Sequence, residues 1–360
     1  MNISLQNLGF DEYFVTLCKE LRIELDAVAR IIAEHRGLYI VKNLKGDFQA
    51  KITGKQIFTA SSREDYPAVG DWVVIKMADD NQAIIKQILP RKTILRKTVV
   101  SRKSTDKTKS QIIAANVDIA FVVESVDRDY SLNRFERYFS LAEDGKVKPS
   151  IILNKVDLIT KDELETKIAE IQNRFKDCTV VPTSTATQEG IELLKNSLYP
   201  GKTYCFLGSS GVGKSSLINI LLGEKVAKTA EVGQSTERGK HTTTHREMYF
   251  LSGGGIVIDN PGMREVGLAD STEGVKTTFN EIADLAKQCQ FTDCTHIHES
   301  GCAVKEAIDS ELFSKEKYEN YIQLKKEADH LEMTNYEKKY KEKKFGKSLK
   351  NYQKRIKDFE

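Results

Sequence analysis

Residues 208–217 read GSSGVGKSSL, and their types and spacing suit one chemistry, the cradling of a polyphosphate. Gly208, Gly211 and Gly213 let the backbone curl until its N–H groups converge on an anion, helped by the start of the helix that follows. Ser209, Ser210 and Val212 complete the loop. Lys214 is placed to reach the outer phosphates and Ser215, with Ser216 beside it, to ligate Mg²⁺ through its hydroxyl. The flanks agree with this reading. An apolar run, TYCFLG, precedes the loop and KSSLINILLG follows it, in the order strand, turn, helix.

Residues 154–157, NKVD, follow another apolar run, PSIIL. Asp157 can accept from the ring N–H and exocyclic amine of guanine, a pair of donors that adenine lacks, so the motif favours GTP over ATP. Asn154 is expected to bond the base and its loop, and the stem of Lys155 to cover the ring, with Val156 between it and Asp157. PTSTATQEG at 182–190 would add backbone contacts to the base around Ser184 and Thr185. In DNPG at 259–262, Asp259 would hold Mg²⁺ through water and Gly262 would donate its N–H to the γ-phosphate.

Between these lies GKHTTTHRE, in which one of Thr242, Thr243 and Thr244 is expected to reach Mg²⁺ as the segment closes; Thr243 is the candidate carried forward. The residue after DNPG is Met263, which cannot orient an attacking water. His241 is the first internal candidate for that role and His245 the second; a bound partner is the other source.

The elements therefore run base, base, phosphate, switch, switch. A GTP-binding chain ordinarily begins with its phosphate loop, so the order implies a circular permutation, which leaves the site intact when the original termini lie close together. One consequence is that the second switch leads directly into the C-terminal region. There, CQFTDCTHIHESGC places Cys289, Cys294, His296 and Cys302 as three thiolates and an imidazole, the donor set of a closed, structural Zn²⁺ site; His298 is a neighbouring alternative to His296.

The elements that must position these groups follow from pattern and length. A chain of 360 residues with 40% hydrophobic content has room for two or three domains, and no apolar run approaches the length needed to cross a bilayer. The N-terminus lacks a basic region followed by an apolar stretch, so no secretory signal is expected. Six cysteines in this length do not make a disulfide framework and suit a reducing, cytoplasmic compartment. The net charge of +3 says little. Its distribution says more: residues 91–110 and 338–357 are strongly basic, each with a single acid (Asp106 and Glu342), and both are candidate polyanion surfaces.

Residues 1–34 read as a helical extension, and 35–100 as short alternating strands of a small antiparallel barrel. Residues 101–114 read as a basic linker without apolar period. From 115 to 270 strands alternate with helices, the pattern of a parallel sheet, and 271–360 are helical and charged around the cysteine cluster.

Barrel, NKVD before GSSGVGKSS, GKHTTT and the Cys3His pattern together resemble the RsgA (YjeQ) family of bacterial small-ribosomal-subunit GTPases, over about residues 35 to 305. The resemblance implies a multidomain α/β protein with an oligonucleotide-binding (OB-type) barrel, a circularly permuted P-loop GTPase domain with a Ras-like sheet, and a helical zinc domain. It also implies GTP hydrolysis stimulated by the small subunit late in its maturation. Asn260 stands where the family usually has Thr, and the N-terminal extension and the tail after about 310 exceed shorter members. The expected function is hydrolysis of GTP to GDP and phosphate as a timer for binding and leaving the subunit and its rRNA, by a monomer without membrane attachment. Tyr340, Phe345 and Tyr352, interleaved with the basic tail, would stack on bases. The alternative is a GTP-gated rRNA-binding protein with negligible turnover.

Overall fold

The computed structural model describes residues 4–332 apart from segments 55–57, 100–108, 128–129, 224–245 and 260–271 and single residues 36, 59, 61, 80 and 177. Its centre is a parallel sheet of β8 (Ile119–Ser125), β9 (Lys148–Asn154), β10 (Val180–Thr183), β11 (Thr203–Leu207) and β13 (Ile256–Asp259), in the order β10-β9-β8-β11-β13. Antiparallel β12 (Arg246–Phe250) flanks β13. Period-two alternation assigns each strand's side chains to two cores. Val122, Leu153, Cys205, Leu207 and Ile258 face α2 (Leu132–Asp144) and α3 (Lys161–Arg174). Phe121, Val123, Ile152, Tyr204, Phe206 and Val257 face α4 (Ile191–Asn196) and α5 (Lys214–Leu222). Both faces are covered, which is why these strands read as continuous apolar runs.

The chain steps outward from β8 to β9 to β10, then returns to the other side of β8 as β11. The order thus reverses between β8 and β11, and beyond the carboxyl ends of strands at such a reversal a crevice opens for ligands. NKVD, the phosphate loop and Asp259 all lie at carboxyl ends of this sheet.

The N-terminal barrel is formed by β1 (Val28–His35), β2 (Leu38–Asn43), β3 (Gly46–Ile52), β4 (Trp72–Asp79) and β5 (Gln82–Ile88), closed by pairing of β1 with β4. One of its pairs, β3 with β5, is parallel, where antiparallel strands throughout are expected from the turns. Residues 28–34, expected as helix, are the first barrel strand; the helix of the extension is α1, Glu12–Leu21. Its Phe14 and Cys18, with Phe10 ahead of it, pack with Trp72 and Leu89 beside the barrel. Part of the stretch expected as linker is strand. β7 (Lys109–Ala115) pairs with β6 (Ile94–Val99) as a separate hairpin, so β6 leaves the barrel expected to contain it.

Barrel and central sheet are joined through hydrogen-bonded strands, since β1 pairs with β12 at Ala33↔Glu247 and Glu34↔Arg246. Arg30 secures the junction. Fully buried, it donates to the carbonyls of Leu8, Gly70 and Asn116 and to Thr203 Oγ1 at 2.9 Å. A buried guanidinium is tolerated only where its donors are satisfied in this way.

The C-terminal helices α6 (Thr272–Thr278), α7 (Asn280–Ala286), α8 (Ala303–Asp309) and α9 (Lys315–Glu332) enclose a core of Val275, Phe279, Ile282, Val304, Tyr321 and Leu324. They dock on α2. Gly274 approaches so closely that a Cβ there would lie 2.0 Å from Ser140 O. Arg137 forks onto Glu327 at 2.8 and 2.7 Å, and Glu136 takes both Arg174 and Asn320.

Candidate functional site

The crevice between β8 and β11 is built from three strand ends. Asn154, fully buried at the end of β9, donates through Nδ2 to Val212 O at 2.8 Å and accepts from Thr183 Oγ1 at 3.0 Å. One amide thus ties NKVD to the phosphate loop on one side and to β10 on the other. Gly213 makes the tie possible. Its φ is +100°, and a Cβ would fall 2.2 Å from Asn154 Nδ2. Gly208 is constrained alike, with φ +143° and a Cβ that would meet Val123 O at 2.2 Å. Gly211, at φ +89°, needs only the conformation, because nothing lies within 4 Å.

Lys214 opens α5 and folds back into the loop, its ammonium donating to Gly208 O at 2.7 Å and Ser209 O at 2.5 Å. Burial lowers its pKa to about 8, against the opposing pull of Asp259 and Glu124. Glu124 is itself fully buried at the end of β8 and meets Arg134 at 3.1 Å. Tyr138 of α2 lies against Ser209 of the loop. Ser215 and Ser216 are half-buried in the first turn of α5, and Ser210 is exposed.

At the base end, Asp157 accepts from Ser184 Oγ at 2.5 Å, while Val156 is buried in the core below. The Ser184 N–H donates to Glu189 O at 2.9 Å, and its hydroxyl accepts from Ala186 N and Thr187 N. The Ser184 hydroxyl thus shapes the 184–187 turn and holds Asp157. Lys155, in a left-handed conformation (φ +62°), pairs with Asp127 at 2.8 Å.

Asp127 and Tyr138 carry no motif, and Thr183, though within PTSTATQEG, is not singled out by the sequence reading; Asp127 is signalled only by following a buried strand at the carboxyl edge. His241, Thr242, Thr243, Thr244, His245, Asn260, Gly262 and Met263 lie outside the described residues, as do Tyr340, Phe345 and Tyr352.

A second site lies between α7 and α8. Ligand atoms of Cys289, Cys294, His296 and Cys302 all fall within 4.8 Å of one another. His296 Nδ1 is 3.5 Å from the sulfurs of Cys289 and Cys302, which are 3.9 Å apart. Four ligands about 2.3 Å from one tetrahedral ion would be roughly 3.7 Å apart, so the set fits a metal ion, whereas a disulfide would need about 2.05 Å. His298 is exposed and outside the cluster, leaving His296 as the imidazole.

The local chain is shaped for this. His296 sits at φ +64° with its carbonyl accepting from Tyr318 Oη. The Glu299 carboxylate gathers Thr295 Oγ1 and the N–H groups of Thr295, Ile297 and His298, which hold it well below the usual carboxylate range. Burial raises the Cys289 thiol, but N–H groups of Val304 and Ala303 at the start of α8 outweigh it and favour thiolate.

Comparison with known proteins agrees with this architecture. A family model described as RsgA GTPase matches residues 89–269. One described as ABC transporter matches 191–348, less than half of the chain, a span that contains the phosphate loop but not NKVD. The small ribosomal subunit biogenesis GTPase RsgA 1 of Bacteroides thetaiotaomicron is 39% identical, over 92% of this chain and 91% of its own. The RsgA of Methanosarcina acetivorans is 42% identical over 72% of this chain and 69% of its own. Among solved structures, YjeQ from Thermotoga maritima superposes with a TM-score of 0.62 at 28% identity, covering 84% of this chain and 98% of that one. YloQ, described as a circularly permuted GTPase, gives 0.59 at 26% identity, covering 85% and 96%.

Proposed function

The chain belongs to the RsgA GTPase family of P-loop hydrolases, and from that premise we propose that it binds the small ribosomal subunit late in maturation, hydrolyses GTP there, and leaves. The observation that carries the nucleotide reading is the Asn154–Val212 bond, which brings the base-reading motif and the phosphate loop to one crevice despite their inverted order.

In this reading guanine lies against Asp157 and Lys155, with Ser184 fixing the carboxylate. The phosphates enter the 208–216 loop, where their oxygens replace the carbonyls now facing Lys214. Ser215 and Asp259 hold Mg²⁺, which supplies charge neutralisation at the phosphates. Gly262 donates to the γ-phosphate, Thr243 completes the metal's surroundings, and His241 orients the attacking water. The cysteine cluster takes one Zn²⁺ in a structural role, since all four positions are filled by protein.

The protein acts as a cytoplasmic monomer without membrane attachment; no helix among the described residues is long and apolar enough to span a bilayer. Basic residues of the β6–β7 hairpin and of the tail contact rRNA phosphates, with the tail aromatics stacking on bases.

Multiple-turnover phosphate release, measured with and without purified small subunits, tests the proposal. Stimulation by small subunits, with cosedimentation in a non-hydrolysable GTP analogue and release in GDP, is expected. Turnover that small subunits leave unchanged would overturn it.

A further inference from the structure

Asp127 belongs to none of the GTP-binding motifs, yet the topology delivers it to the base site. The β8–β9 ladder runs in register to Ser125↔Asn154 and is extended by Val126 N donating to Asn154 O at 3.1 Å. The next residue on each strand is Asp127 on one and Lys155 on the other. Ser125 Oγ donates to Asp127 Oδ1 at 2.7 Å, which fixes the carboxylate, and Lys155 Nζ donates to Oδ2 at 2.8 Å. Lys155 is thereby held at both ends, its backbone in the left-handed region and its ammonium on the neighbouring strand.

We infer that Asp127 is a positioning residue for guanine. It draws the Lys155 stem across the crevice as a fixed apolar wall for one face of the base. The inference rests on guanine occupying this site, as proposed above. The side chains of Lys155 and Asp127 are 25% and 31% exposed, so water screens the pair in the free protein. A purine laid over the lysine removes that water and strengthens the pair. The contribution of Asp127 therefore appears in nucleotide affinity and hardly at all in the stability of the free protein. It also carries no information about phosphate number, because the pair touches only the base end.

The test is nucleotide titration of full-length wild type, Asp127→Asn, Lys155→Met and the double variant, with GDP and GTP, alongside steady-state hydrolysis. Lys155→Met keeps an apolar stem but has no ammonium to tether. Asp127→Asn is expected to weaken GDP and GTP alike by about tenfold, the weight of one charge-assisted hydrogen bond. The loss should fall on KM and not on kcat, and melting of the nucleotide-free protein should be unchanged. In the Lys155→Met background the Asp127 substitution should have no further effect.

Wild-type affinity in Asp127→Asn, an equal loss in the Lys155→Met background, or a loss confined to GTP would each overturn the inference. Failure of the underlying reading looks different, because wild-type protein would then bind ATP as well as GTP.

Discussion

The nucleotide crevice and the cysteine cluster are both assembled before any ligand is considered, but in opposite ways. In the crevice the functional groups are occupied by the protein itself: Asn154 by Val212 O, Asp157 by Ser184, Lys155 by Asp127, and Lys214 by two loop carbonyls. In the cluster three sulfurs and a ring nitrogen converge on one another. Internal satisfaction means that a nucleotide has only to exchange partners with groups the protein already holds in place. The second brings together three thiols whose thiolate forms repel one another, a repulsion that the Zn²⁺ proposed above would offset.

The largest effect should come from removing that cation. Chelation, or Cys294→Ser, is expected to loosen α7 to α9, seen as loss of hydrogen-exchange protection across residues 280–332, with GTP affinity kept within about threefold. An equal collapse of GTP affinity would break the contrast. The route would then run through α2, which touches the phosphate loop at Tyr138 and the C-terminal helices at Arg137–Glu327. Protein that keeps its protection after full metal removal would contradict a structural role.

Next in size is Gly213→Ala. A Cβ at this left-handed position meets Asn154 Nδ2, so the bond between the base motif and the phosphate loop must break. Loss of GTP binding by about a hundredfold or more is expected, with metal content unchanged. Asp157→Asn should cost GTP about thirtyfold and shift preference toward xanthine nucleotides, because the acceptor for guanine's N–H groups becomes a donor in part. Equal affinities for GTP in variant and wild type would remove Asp157 from the base site.

The same contrast explains what the sequence discloses. Sites made of glycines, cysteines and a tetrapeptide are legible because few alternatives satisfy their geometry; the parallel sheet is legible because strands buried on both faces are apolar throughout. Val28–His35 is not, since its apolar residues at short range fit a helical spacing as well as an alternating one, and two of the partners that decide, β4 and β12, are remote in sequence. Arg30 belongs to no motif, and its place as the buried bolt between barrel and sheet follows only from the partners that the fold brings to it. The β6–β7 hairpin joins two short strands across a basic stretch, and its buried Leu95, Ile112 and Ile113 are too few to mark a period beside Arg96, Lys97 and Gln111. Asp127 acquires meaning only once β8 lies beside β9.

The smallest effect concerns protonation. Burial depresses Lys214 to about 8 in the free protein, whereas an exposed lysine titrates near 10.4. Between those values the unfolded chain holds more protons than the folded one. The destabilisation of the nucleotide-free protein is therefore fully present below about pH 8 and is relieved as pH rises toward 10.4. Nucleotide binding has the opposite slope. Phosphates need the ammonium form and restore its pKa, so affinity should be level below about pH 7.5 and fall above 8, by about tenfold at pH 9, with proton uptake on binding. Calorimetric titration of GDP in buffers of different ionisation enthalpy measures both quantities. Lys214→Met, weaker throughout, should lose this slope and keep only the part due to the nucleotide's own ionisation. If wild type and Lys214→Met weaken in parallel between pH 7 and 9, the lysine is already fully charged in the empty loop, and the two carbonyls that hold it satisfy it better than burial penalises it.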